Sequence, residues 1–138
     1  MPVVASHPLR IWVVDDNPAD VALAQLALQK MDIAFEMTVI HDGEEALSRL
    51  RNPDGPPPEV LLLDINLPKL GGLEILNSLQ KSHFLVTRVA VVSSSTNTAD
   101  RDAALAAGAR QYVFKSTDLW RYLDTIANVV RELAPRAS

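Results

Sequence analysis

Five short apolar runs, each followed by a helical pattern, constrain this chain more than any other feature. The first, Arg10-Ile11-Trp12-Val13-Val14, is closed abruptly by Asp15-Asp16. It lacks polar alternation, as strands do when both faces are covered. Asn17 suits a helix N-cap and Pro18 the first helical position. That helix is expected to run to Met31, with Leu23, Ala24, Ala27, Leu28 and Met31 as its inner stripe. A second strand is expected over Phe35–Ile40 and, after the turn His41-Asp42-Gly43, a helix over Glu44–Leu50. Residues 52–58 hold four prolines and a glycine and must be a loop. The third strand spans Glu59–Ile65, with Val-Leu-Leu-Leu at its heart and Asp64 at its end. A loop with Pro68 and the turn pair Gly71-Gly72 leads to a helix over Leu73–Lys81, apolar at Leu73, Leu76 and Leu79. The fourth strand, Arg88–Val92, ends in Ser93-Ser94-Ser95, and an Ala-rich helix follows over Thr98–Ala107 with Gly108 as its C′ cap. The fifth strand, Gln111–Phe114, ends at Lys115. The last helix covers Asp118–Leu133, with Leu119, Leu123, Ile126, Val130 and Leu133 facing inward. Strict alternation of strand and helix implies an α/β domain with a parallel sheet and right-handed crossovers.

Bulk properties narrow the function. A chain of 138 residues fits one domain, and 48% apolar content is enough for a core. The expected division is an N-terminal extension over 1–9, one domain over 10–133 and a tail over 134–138, with no output domain after Leu133. Net charge is −4 and no basic stripe is visible, so no nucleic-acid partner is expected. The absence of cysteine removes disulfides, thiolate metal sites and cysteine nucleophiles. No apolar run approaches the roughly 20 residues that span a bilayer, and the N-terminus does not resemble a signal peptide. The expectation is a cytoplasmic protein with no membrane partner.

Ligands of open α/β sheets bind beyond the carboxyl ends of the strands. The ends here carry Asp15 and Asp16, Asp64, Ser93 and Lys115. Clustered carboxylates repel unless a cation joins them. A hard ion, Mg²⁺ or Mn²⁺, takes oxygen ligands and keeps several waters. Asp16 and Asp64 are candidate direct ligands, Asp15 could hold a metal-bound water, and the Asn66 backbone carbonyl could add another donor. Aspartate accepts phosphoryl groups, and that transfer is catalysed by positioning and electrostatics. Asp64, between the acidic pair and the Ser93 and Lys115 partners, would be the nucleophile.

Val13-Val14-Asp15-Asp16-Asn17, Leu62-Leu63-Asp64, the Ser93 run and Val113-Phe114-Lys115 resemble the signature of response-regulator receiver domains, the CheY-like family, from about Arg10 to Leu133. Asp16-Asn17-Pro18-Ala19-Asp20, Asp64-Ile65-Asn66-Leu67-Pro68 and His41-Asp42-Gly43-Glu44-Glu45-Ala46-Leu47 are similar to stand-alone receivers that serve phytochrome-type sensor kinases. The resemblance implies a doubly wound, flavodoxin-like sheet of order 2-1-3-4-5 with five helices. It implies a switch of a two-component phosphorelay and not an enzyme, with Asp64 phosphorylated by a histidine kinase or phosphotransfer protein. Asp15 and Asp16 would belong to the metal pocket and Lys115 would contact the phosphate. Ser93 would move toward the phosphate and Tyr112 would be the switch aromatic. Output, and a homodimer contact, would use the face of the fourth helix, fifth strand and last helix. The sequence departs from the family at Ser116, where receivers carry proline after a cis bond. A cis non-proline bond costs roughly 2.5–4 kcal/mol, so either the site meets that cost or the bond is trans. Counting back from Gly108 favours Ser93 over Ser94 as the switch hydroxyl.

Plainer readings exist for each residue alone. Asp15-Asp16 or Asp64 could cap helices, Lys115 could be a solvated lysine, and Tyr112 could be packing. Ser94 and Ser95 are expected to satisfy loop backbone groups. His7, His41 and His83 lack metal-ligand spacing and are expected in loops or at the surface. Leu26, opposite the core stripe of the first helix, and Trp120, off the main stripe of the last, are candidate interface residues, for kinase docking and for dimer or effector contact respectively. Two rival functions remain: a metal-dependent phosphohydrolase, which lacks an evident general acid near Asp64, and a receiver-like module that binds metal without phosphorylation.

Overall fold

A computed structural model describes residues 7–52, 54–67, 70–81 and 87–135. The expectations for residues 1–6, Pro53, Pro68, His83 and 136–138 lie outside the described residues. The elements alternate as β1 (Leu9–Val14), α1 (Pro18–Gln29), β2 (Phe35–Ile40), α2 (Gly43–Arg51), β3 (Val60–Asp64), α3 (Gly72–Lys81), β4 (Arg88–Ser93), α4 (Thr98–Ala106), β5 (Gln111–Phe114) and α5 (Leu119–Leu133). All pairings are parallel, and the order is β2-β1-β3-β4-β5.

The sheet is covered on both faces. Successive residues of β3 point to opposite sides, so Leu62 joins Ile11, Val13, Ala27, Leu28, Ile126 and Val130 under α1 and α5. Leu61 and Leu63 join Ile40, Leu50, Ile75, Leu76 and Val91 under α2, α3 and α4. Every residue of β3 is buried, which explains its unbroken apolar run.

Local chemistry sets the helix ends. Asn17, Asp42, Asn97 and Asp118 are N-caps whose side chains accept from Ala19 N, Glu45 N, Ala99 N and Arg121 N. Asn17 is therefore the cap of α1, and Asp15 and Asp16 are free of that role. Asp64 lies eight residues before α3 begins and does not cap it either. At the end of α4, Gly108 has φ 109°, and the amides of Gly108 and Ala109 donate to Leu105 O and Ala104 O. This is a Schellman stop, and a left-handed residue is required for it.

One expectation needs correction. Leu119 is 51% exposed; it is the first residue of α5 and lies at the tip of the helix, so the buried stripe starts at Tyr122 instead. In α3 the buried stripe is Ile75, Leu76 and Leu79, with Leu73 only half-buried. In α1, Leu23 is likewise half-buried at the edge of the stripe.

The central strand is the most sensitive place for a core deletion. Leu61→Ala removes a fully buried side chain between two packed layers and should lower unfolding free energy by about 2–5 kcal/mol. Urea titration followed by circular dichroism measures it.

Candidate functional site

The carboxyl ends of β1, β3, β4 and β5 bring the predicted residues to one edge. Asp15 follows β1 and is tied to β2 by its amide, which donates to Ile40 O at 3.0 Å. Asp64 is the last residue of β3. Asp15 and Asp64 are 6% and 7% exposed, whereas Asp16 is exposed. One carboxylate oxygen from each of Asp15, Asp16 and Asp64 lies within 4.8 Å of the others. Backbone amides hold the two buried carboxylates: Asn17 N donates to Asp15 Oδ1 at 2.9 Å and Asn66 N to Asp64 Oδ1 at 3.0 Å.

Gly72 lets the loop after β3 fold back onto the strand. A Cβ there would come within 2.8 Å of Asp64 O and 2.9 Å of Ile65 Cα. Gly72 is thus a close-approach position beside β3.

Lys115 enters from the end of β5, its amide bonded to Ser93 O at 2.7 Å. Its ammonium lies 3.4 Å from Asp15 Oδ2, 3.4 Å from Asp64 Oδ2 and 2.8 Å from Asp20 Oδ2. No described peptide bond is cis, so Lys115-Ser116 is trans, and the lysine still reaches both buried carboxylates. Burial pulls the Lys115 pKa down, but the Asp20 hydrogen bond and the charges of Asp15 and Asp64 raise it above its ordinary value. Burial also raises the Asp15 carboxyl, against the lowering effect of the Asn17 amide and Lys115.

Ser93 is fully buried and Ser94 is exposed. Ser93 Oγ accepts from Ser95 N at 3.0 Å. The Tyr112 hydroxyl donates to Ser95 O at 2.9 Å, and Ser95 Oγ bonds Asp100 Oδ2 at the start of α4. Ser95, read from sequence as a loop serine, is the link between Ser93 and Tyr112. Leu26 and Trp120 are both exposed. The Lys30 ammonium lies 5.7 Å from the centroid of the Trp120 ring.

Two site residues escaped sequence reasoning. Asp20 sits in the first turn of α1, one turn from the acidic pair, and reads as an ordinary helix-start carboxylate. Tyr122 falls on the core stripe with Ile126, and its polar end carries no sequence signal. It lines, with Asp15, Asp20 and Asp64, a small cavity beneath the cluster.

The three carboxylates can hold a hard divalent cation. Oxygens around an octahedral Mg²⁺ at about 2.1 Å lie roughly 3–4 Å apart, a small contraction of the observed cluster.

A response regulator receiver domain model matches residues 11–127. The transcriptional regulatory protein TrcR of Mycobacterium tuberculosis is 33% identical over 124 residues, 90% of this chain and 46% of that protein. The response regulator Rcp1 of Synechocystis sp. is 32% identical over 120 residues, 83% of this chain and 82% of that one. The chain thus spans less than half of the mycobacterial relative. Among solved structures, the phosphorylated cyanobacterial phytochrome response regulator RcpA superposes with a TM-score of 0.83 at 30% identity, over 91% of this chain and 93% of that one. The Mn²⁺-bound form of Rcp1 gives 0.81 at 29% identity, over 89% and 92%.

The raised Asp15 carboxyl gives a test of the site's electrostatics. A carboxyl whose folded pKa exceeds the ordinary 3.8 loses folding stability as pH rises above that value. Asp15→Asn should therefore raise metal-free stability at pH 7, by on the order of 1 kcal/mol, and flatten that decline. The same variant should show a smaller rise in Tm on adding Mg²⁺. Thermal melts across pH, with EDTA or Mg²⁺, measure both.

Proposed function

The chain belongs to the response regulator receiver domain family, and from that premise we propose that it is a phosphorylation switch of two-component signalling with Asp64 as its phosphoacceptor. The observation that carries the reading is the Asp15–Asp16–Asp64 cluster with Lys115 bridging its two buried members. The donor is a histidine kinase or phosphotransfer protein. An Asp64 oxygen attacks phosphorus, the phosphorus–nitrogen bond to the donor histidine breaks, and the imidazole keeps the electron pair and takes up a proton. Asp15, Asp16, Asp64 and the Asn66 carbonyl would hold Mg²⁺ or Mn²⁺, which when bound would offset negative charge on the phosphoryl oxygens. Lys115 supplies a second positive group and Ser93 a hydroxyl.

Transmission runs through the hydrogen-bonded link from Ser93 to Ser95 to Tyr112. Displacing Ser93 toward a phosphoryl group breaks its bond to Ser95 N and frees the loop that holds Tyr112, shifting the population of the α4–β5–α5 face. Leu105, Phe114, Leu119 and Trp120 are exposed apolar residues of these elements, which supports that face as the surface for a partner or a second copy. Exposed Leu26 on α1 is the corresponding feature for kinase docking. Similarity to RcpA and Rcp1 supports a phytochrome-type kinase as the donor.

Intact-protein mass after incubation with acetyl phosphate and Mg²⁺ tests the acceptor. The wild-type chain should gain one phosphoryl group, absent from Asp64→Asn and from a sample with EDTA. Metal-dependent stabilisation without an adduct, and without beryllofluoride binding, would instead support a metal-binding module that is not phosphorylated.

A further inference from the structure

The shortest contact of the Lys115 ammonium is with neither buried carboxylate of the cluster. It lies 2.8 Å from Asp20 Oδ2, against 3.4 Å to Asp15 and to Asp64. Asp20 is outside the group that could share a metal ion. It is nonetheless largely shielded, its side chain 23% exposed. In this arrangement the lysine is turned toward α1.

Beside Asp20 is a cavity of about 10 Å³, lined also by Asp15, Asp64 and Tyr122. That is room for about one water molecule. Tyr122 is 4% exposed, and burial and nearby charges, with no hydrogen bond to a described side chain, act on its hydroxyl. No described side-chain polar atom that is fully sealed lacks a partner. The Tyr122 hydroxyl is therefore not sealed in the core, and the cavity is the opening it lines.

We propose that Asp20 is a resting dock for the Lys115 ammonium, and that Tyr122 takes over Asp20 when Lys115 turns to a phosphoryl group on Asp64. The proposal rests on Asp64 being the phosphoacceptor. Closing on a phosphoryl oxygen beyond Asp64 draws the Lys115 ammonium away from its 2.8 Å contact with Asp20. Its departure strands a shielded carboxylate, which is costly unless another donor replaces it. The Tyr122 phenol is the donor at hand, directly or through one water in the cavity. Burial raises the phenol pKa to about 12, so the proton to be donated is present at neutral pH. Asp20 then competes with the phosphoryl group for Lys115, and Tyr122 weakens that competition. Both are positioning residues acting through the lysine.

The test is a double-mutant cycle on the whole chain, with acetyl phosphate as donor, saturating Mg²⁺ and intact mass as readout. Asp20→Asn should phosphorylate faster than wild type by about threefold to tenfold, while Asp20→Glu, which keeps the charge, should stay within about twofold. Tyr122→Phe should slow phosphorylation by about twofold to fivefold, and should add nothing in the Asp20→Asn background. A purely structural tyrosine would slow both backgrounds equally, and that result would overturn its part. If Asp20→Asn does not fold, Asp20→Ser carries the same comparison. An adduct forming on wild type and Asp20→Asn at equal rates sinks the dock alone. The absence of both an adduct and beryllofluoride binding on wild type removes the phosphoacceptor reading, and the dock falls with it.

Discussion

Burial of β3 on both faces is the constraint from which the rest of this structure follows. A strand with no solvent-facing side needs helices above and below it, and these must arrive through crossovers that keep all strands parallel. Parallel strands end together, so their terminal polar residues collect at one edge. Asp64 cannot leave that edge without dragging Leu61, Leu62 and Leu63 out of two packed layers. The position of Asp64 is thereby a consequence of core packing, and the amides of Asn17 and Asn66 refine the orientation of the Asp15 and Asp64 carboxylates.

The same packing creates an electrostatic imbalance. Asp15, Asp20 and Asp64 face one ammonium, with Asp16 close by at the surface. Lys115 is held by that excess of negative charge, which is why its protonated form is favoured despite burial. Asp15 is shifted the opposite way for an acid, because burial outweighs the help of one amide and one lysine. A site left in this state is receptive to added positive charge. It is also one in which the lysine has more than one stable partner, so its position can respond to events at Asp64.

The link from Ser93 through Ser95 to Tyr112 shows how a change at one strand end can reach the next element. Ser93 is sealed at the end of β4 while Tyr112 lies on β5, and Ser95 in the loop between β4 and α4 bonds to the side chains of both. Asp100 fastens that loop to the start of α4. Movement of one serine therefore bears on a helix and a strand together, which are the elements carrying exposed Leu105 and Phe114.

The sequence by itself determined the alternation of elements, the parallel sheet and the residues at its strand ends, because these follow from local periodicity and from where apolar runs stop. Asp15, Asp16, Asp64, Ser93 and Lys115 were legible as one constellation for that reason. Caps were legible too, since Asn17 and Gly108 act on backbone within a few residues. Tertiary structure alone decided that Lys115 pairs with Asp20 across 95 positions, that the Tyr122 hydroxyl borders the site, that Ser95 joins Ser93 to Tyr112, and that Leu119 stays in water. Each depends on where a helix tip or a side-chain end lies relative to another element. Periodicity gives the face of a helix that turns inward; it does not give how far the helix extends past the sheet, or which distant group meets it there.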